Sequence, residues 1–238
     1  MKTVLKVLPL IFLASSCAHV SGSLGSSADE QRPLPERVQE MVVAVQSNAI
    51  EALPAEIAGF TSSEPVADRE KNQRGAGFTR VYMLDDAVVT VFLYNNQEFG
   101  AKNEITPLTE SLMDKHLNEF QAMQDSGLFE DVKIGDKKTR EFKWHSVPYA
   151  VTEAEITYKQ KDEPKTSFLV LGGNSDLMSF VRIRFTYPKT MQRKVSGKKN
   201  VFTRTVMSSL HDFAQSLKPK AKPEAAETPE TAEGAVAD

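Results

Sequence analysis

The 238-residue sequence predicts an α+β domain, a mostly antiparallel sheet of about six to seven strands with helices packed on it. Three observations lead there. Stretches with apolar residues at helical spacing stand near the start, the middle and the end of the chain. Runs of strand length, alternating or apolar throughout, fill the intervals. In the second half the connections between those runs are short and rich in turn residues, which suits antiparallel neighbours.

The first helix opens at Pro33-Leu34-Pro35, with Glu36 in its first turn. Val38, Met41, Val42, Val45 and Ala49 give it one apolar face, and it ends before Pro54. Ile57 and Phe60 read as core anchors in an irregular segment, and 61–77 as a charged, glycine-containing loop. Phe78 to Leu84 alternates, whereas Ala87 to Tyr94 (AVVTVFLY) is apolar on both faces, as a central strand should be. Asp85-Asp86 joins the two as a hairpin. A second helix follows Thr106-Pro107, an N-cap and a proline at the first helical position. Its inward face is Leu108, Leu112, His116, Leu117, Phe120 and Met123, and Gly127 is placed to end it.

The second half reads as a meander of strands over 129–134, 139–145, 148–158, 167–171 and 177–187. Gly135-Asp136, the run 160–165 and Gly172 to Asp176 carry turn chemistry between them. In the last strand Val181, Ile183, Phe185 and Tyr187 share one face, and Phe180, Arg182, Arg184 and Thr186 the other. Pro188 stops it, residues 189–199 read as a loop, and Asn200 caps a final helix through Leu217.

Composition bounds the class. A hydrophobic share of 40% and a charged share of 26% are ordinary for a globular domain. The net charge of −3 provides no global basic field of the kind nucleic-acid binders use. The chain divides into a leader over 1–16, a tether over 17–32, one domain over 33–217 and a Pro/Ala/Glu-rich tail over 218–238 expected to be disordered.

The leader fixes an expected address. Lys2 and Lys6 precede the apolar run VLPLIFL, which is shorter than the about 20 residues that span a bilayer and has the flanks of a signal peptide. Ala14-Ser15-Ser16-Cys17 follows directly, and Cys17 is the only cysteine in the sequence. This resembles the lipobox of bacterial lipoproteins, with Ala14 where leucine is usual. The resemblance implies lipid on Cys17, cleavage before it, and residence in the cell envelope. Ordinary cleavage after Ala18 is the alternative reading of the same small residues. Ala18 after the cysteine implies, by the same resemblance, sorting to the outer membrane with the domain facing the periplasm.

The order of elements over Leu53 to Leu217 resembles the PsbP-like α/β/α sandwiches, accessory domains built on an antiparallel sheet. Leu53-Pro54 and Gly59-Phe60 are similar to the openings of envelope lipoprotein domains of unassigned role.

Catalytic constellations are sparse. A Gly-x-Ser-x-Gly elbow is missing, the histidines stand far apart without a metal-ligand spacing, and the paired glycines do not follow a strand into a helix. His116 and His211 read as packing residues at the edge of apolar faces. Glu153 and Glu155 share a strand face and are the one acid/base candidate; the plainer expectation is cross-strand pairing with Arg182 and Arg184. The segment 189–199 has five positive residues and no negative one. With Arg182 and Arg184, the residues Lys189, Arg193, Lys194, Lys198 and Lys199 form a candidate patch for an anionic partner. The expected function is a non-catalytic accessory or binding module of the envelope, with no cofactor, metal or nucleic acid. A small-ligand or lipid carrier is the alternative.

Overall fold

The computed structural model describes residues 36–63 and 65–218; the leader, Cys17, the tether and the tail beyond Lys218 lie outside them. The described chain forms helix α1 (Glu36–Glu51), strands β1 (Glu56–Ile57), β2 (Phe60–Ser62), β3 (Ala67–Asp68), β4 (Phe78–Leu84) and β5 (Ala87–Tyr94), then α2 (Pro107–Asp125). Strands β6 (Glu130–Ile134), β7 (Lys138–Trp144), β8 (Val147–Gln160), β9 (Glu163–Asn174) and β10 (Ser179–Pro188) follow, and α3 (Gln192–Ser216) closes the fold. All pairings are antiparallel in the order β1-β2-β4-β5-β10-β9-β8-β6, with β3 beside β4 and β7 beside β8. The α+β class stands as expected, with three short strands beyond the expected number.

The two faces are covered by different helices. α1 and α3 pack over Tyr82, Val89, Val91, Val151, Ile183 and Phe185. α2 packs through Leu112, Met113, Leu117 and Phe120 on Ile156, Tyr158, Leu169 and Leu171. Burial of these apolar faces is the dominant favourable contribution to folding.

Local chemistry accounts for most element ends. Thr106 accepts from the Thr109 amide and Thr109 returns the contact, a reciprocal cap in front of Pro107. Gly127 (φ +74°) ends α2, and Leu128 N–H donates to the Met123 carbonyl across it, the wrap that a left-handed residue permits. The hairpins β7–β8 and β8–β9 turn through His145-Ser146 and Lys161-Asp162, all four with positive φ. None is the Asn-Gly pair that usually marks such a turn.

Several expectations are corrected. Met41 faces solvent; the inward face of α1 is Gln39, Val42, Gln46, Ala49 and Ile50. Its glutamines are anchored, Gln46 donating to Ser179 Oγ (2.8 Å) and Gln39 accepting from Asn95 (3.0 Å). Ile57 and Phe60 are core residues as expected, but they sit in a short ladder of their own, β1 against β2. Strand β9 runs straight through Gly172-Gly173, in register with β10, and glycine at 173 leaves room for the Lys102 backbone that crosses there. The segment 189–199 is a short 3₁₀ turn (Lys189–Met191) and the first two turns of α3, with Asn200 inside the helix. Buried Val195, Lys198 donating to the Ala58 carbonyl (2.8 Å) and Lys199 over the Phe168 ring (3.6 Å) hold it against the domain.

Candidate functional site

Charged side chains gather in three places. The first is the seam between α2 and the sheet. Tyr94 ends β5, His116 and Glu119 stand three apart on α2, and Arg182 rises from β10. Tyr94 Oη lies 2.8 Å from His116 Nε2, and His116 Nδ1 lies 2.7 Å from Glu119 and 2.6 Å from Arg182 Nη1. Arg182 also meets Glu119 (3.6 Å) and sits over the Phe92 ring (3.9 Å). Glu119 and Arg182 both approach Nδ1, so each neutral tautomer serves one of them and not the other. With the proton on Nδ1, Tyr94 donates to Nε2 and the ring donates to Glu119. With it on Nε2, Arg182 donates to Nδ1.

Burial, helped by the Arg182 charge, holds the His116 pKa below its ordinary 6.5 against the opposing hydrogen bond from Glu119. Burial pushes Glu119 up, but the His116 hydrogen bond and the Arg182 charge outweigh it, so the carboxyl titrates below its usual 4.5. Burial raises the Tyr94 phenol as well. The unfolded chain therefore binds a proton at His116 that the folded chain resists, so stability falls as pH drops below about 6.5. Glu119 adds a further loss below about 4.5, where the unfolded carboxyl takes up a proton first. Urea midpoints measured from pH 7.5 down to 5 should decline in the wild type and decline less steeply in His116→Gln. Equal slopes in the two proteins would remove His116 from the explanation.

The second place is a hollow of about 310 Å³ between α3 and the strands β7 and β8. Glu153 lies at its floor, 6% exposed, with Arg140 Nη2 at 3.0 Å. Arg140 Nη1 donates to Asn200 Oδ1 (2.5 Å), which ties the strand edge to α3. Glu155, on the same face two residues on, has Lys199 at 3.8 Å. Burial lowers the Lys199 pKa despite that neighbour. Glu153 thus meets a fixed guanidinium and Glu155 an ammonium, an arrangement suited to holding shape and recognising charge.

The third place is an open hollow of about 620 Å³ at the end of α3. There Trp144 Nε1 donates to Asp212 (3.0 Å), Lys218 meets Asp176 (3.2 Å), and the Tyr149 hydroxyl is hydrogen-bonded to His211 Nδ1. Burial, aided by Asp176 and Asp212, pushes the Tyr149 phenol up to about 12. Among the described residues no three His, Cys, Asp or Glu side chains converge as a metal site.

The structure divides the basic residues chosen from the sequence. Arg182 and Arg184 lie on the α2 face, with Arg184 over the Phe120 ring (4.5 Å). Lys189, Arg193, Lys194, Lys198 and Lys199 lie at the start of α3, on the other side of the sheet. Lys189, Arg193 and Lys194 are exposed, and Lys194 pairs with Asp85. The seven residues are therefore not one surface. Glu153 and Glu155 cannot meet Arg182 and Arg184 either. The register Glu153–Val170–Ile183 and Glu155–Phe168–Phe185 puts the carboxylates on the opposite face. His116 and His211 are buried, as expected of packing residues. The sequence reading missed Tyr94 and Glu119. The available signal was an acidic residue one helical turn after His116, at a spacing where side chains meet.

No protein-family model and no curated protein matches this chain. Solved structures similar to it include two with these alignments. The solution structure of cyanobacterial PsbP from Synechocystis aligns over 62% of this chain and 85% of its own, at 8% identity and a TM-score of 0.39. The Ran-binding protein Mog1p of Saccharomyces cerevisiae aligns over 66% of this chain and 87% of its own, at 11% identity and a TM-score of 0.29.

Proposed function

We propose that this chain is a non-catalytic accessory or binding module of a bacterial envelope, tied to the periplasmic side of the outer membrane by lipid on Cys17. One observation carries the non-catalytic part. The buried histidines and the buried glutamate are engaged by neighbouring side chains: His116 by Tyr94, Glu119 and Arg182, His211 by Tyr149, and Glu153 by Arg140. A general acid or base must instead present its proton to a substrate in reach of an open cleft. A carrier of small apolar ligands would need an internal hole. The sheet–helix interfaces are instead filled by rings, Phe60, Phe185 and Phe202 on one side and Phe120, Phe129 and Tyr158 on the other. The anchor rests on the run Ala14-Ser15-Ser16-Cys17. Acyl chains at about 0.8 kcal/mol per buried methylene would make the attachment effectively permanent.

The anchor is tested by fractionation. Wild-type protein should sediment with membranes, and its intact mass should exceed that of the chain starting at Cys17 by the mass of a diacylglyceryl group and one further acyl chain. Cys17→Ser should appear in the soluble fraction almost entirely. Sedimentation of Cys17→Ser with membranes, or a finished product that keeps residues 1–16, overturns the anchor.

A further inference from the structure

The central strands carry apolar residues on both faces, yet only one face is covered across its width. Toward α1 and α3, Val89, Val91, Leu93, Ile183 and Phe185 are fully buried. On the opposite face the register aligns Met83 with Val88 and Thr186, Val81 with Thr90 and Arg184, and Phe92 with Arg182. α2 lies to one side of these rows, over β6, β8 and β9. α2 reaches β5 only at its end, where His116 meets Tyr94, and Val81, Met83 and Val88 join neither helix-covered core. Val81, Val88, Thr90 and Phe92 are accordingly half-buried, and Met83 is 37% exposed. A strand written apolar on both sides but covered on one leaves a patch of the kind that marks interaction sites.

The two arginines run along the border between the covered half and the bare half. Arg182 is taken up by Glu119 of α2. Arg184 lies over the Phe120 ring but forms no ion pair among the described residues; the Nε–H of each arginine is shielded from solvent and donates to nothing there. α2 shows what this face accepts: an amphipathic segment whose carboxylate meets an arginine and whose apolar side chains meet the sheet. We propose that the bare half, formed by β4, β5 and the adjoining edge of β10, docks an acidic amphipathic segment of a protein partner. Its apolar side chains lie on Val81, Met83 and Val88, and a carboxylate meets Arg184. The proposal rests on the binding-module reading and names the surface and the chemistry of its occupant.

Methionine oxidation tests it. Membranes from cells making the full chain are treated with hydrogen peroxide, and oxidation is read by peptide mass spectrometry against the purified protein. Met83 should oxidise at least about five-fold more slowly in membranes, while Met41, exposed on α1, should be unchanged. Thr90→Glu gives Arg184 a carboxylate from directly across the ladder and should abolish the protection without weakening the fold. Arg184→Glu should do the same; if it fails to fold, Thr90→Glu decides. Protection that survives Thr90→Glu overturns the acidic occupant. Protection reproduced by protein-free phosphatidylethanolamine/phosphatidylglycerol vesicles assigns the face to lipid. Protection in the purified protein accompanied by a dimer mass assigns it to a second copy. Either of the last two overturns the proposal. Protection at Met41 or Met191 with Met83 fully reactive removes this surface and leaves the binding reading intact. Equal oxidation at every methionine counts against both.

Discussion

Phe202→Ala should destabilise the domain by about 3–5 kcal/mol, the range for removing a fully buried aromatic ring. Phe202 lies on the inward side of α3 with no solvent exposure. It stands edge-on to Tyr82 (5.2 Å), Phe185 (5.4 Å) and Phe60 (5.6 Å), contacts that add to the area it buries. These partners come from β4, β10 and β2, so the cavity left by alanine is walled by strands already committed to pairing, which limits collapse. At roughly 2–4 °C per kcal/mol for a domain of this size, the melting temperature should drop by about 10 °C. Val201→Ala, one residue earlier at a site 54% exposed, should change stability by no more than about 0.5 kcal/mol. Phe202→Leu should fall between the two. A loss below about 1 kcal/mol for Phe202→Ala would mean that α3 is not packed on the sheet as described.

Arg182→Met should cost about 3 kcal/mol, the lower end of the range for breaking a buried charge pair. Methionine keeps much of the side-chain volume over Phe92 but leaves Glu119 without its guanidinium. The low end applies because Glu119 is 41% exposed on its side chain, so water regains part of its solvation. The substitution also lifts the positive charge that disfavours protonation of His116, so the pH dependence between about 5 and 7 should flatten in the same variant. Loss of stability with an unaltered pH slope would separate the packing role of Arg182 from its electrostatic one. Chemical denaturation of wild type and variant at both ends of that interval reads out both effects.

How much of this was legible in the sequence depends on whether local signals decided the structure. α2 was, because Thr106-Pro107 and Gly127 are local start and stop signals. The hairpin β4–β5 was as well, since alternation and a two-residue acidic turn need no long-range information. The first turns of α3 were not. Residues 192–199 contain Gly197, and only Val195 is buried among them, so no periodicity announced a helix that tertiary contacts with Ala58 and Phe168 hold in place. The turn at Lys161-Asp162 falls within the run 160–165 read as a turn, whereas the glycine-free pair His145-Ser146 carries no residue that marks a positive φ. The site residues failed for a single reason. Alternation reveals that Arg182 and Arg184 share a face and that Glu153 and Glu155 share one, but not whether the two faces coincide. That depends on register across β9, and a one-residue slip inverts it.

The place of β10 in the sheet has one more consequence. Val91 of the early hairpin pairs with Ile183, so the first sheet half is joined to the second only by the last strand in the chain. Until β10 is available, β5 and β9 each present a bare row of amides and carbonyls, and nothing closes the core between α1 and the meander. Such long-range closure is slow and lets the polypeptide remain open until its carboxyl half has been delivered. A chain cut short before Ser179 would therefore be two unjoined ribbons with sticky borders, prone to clump and not to fold.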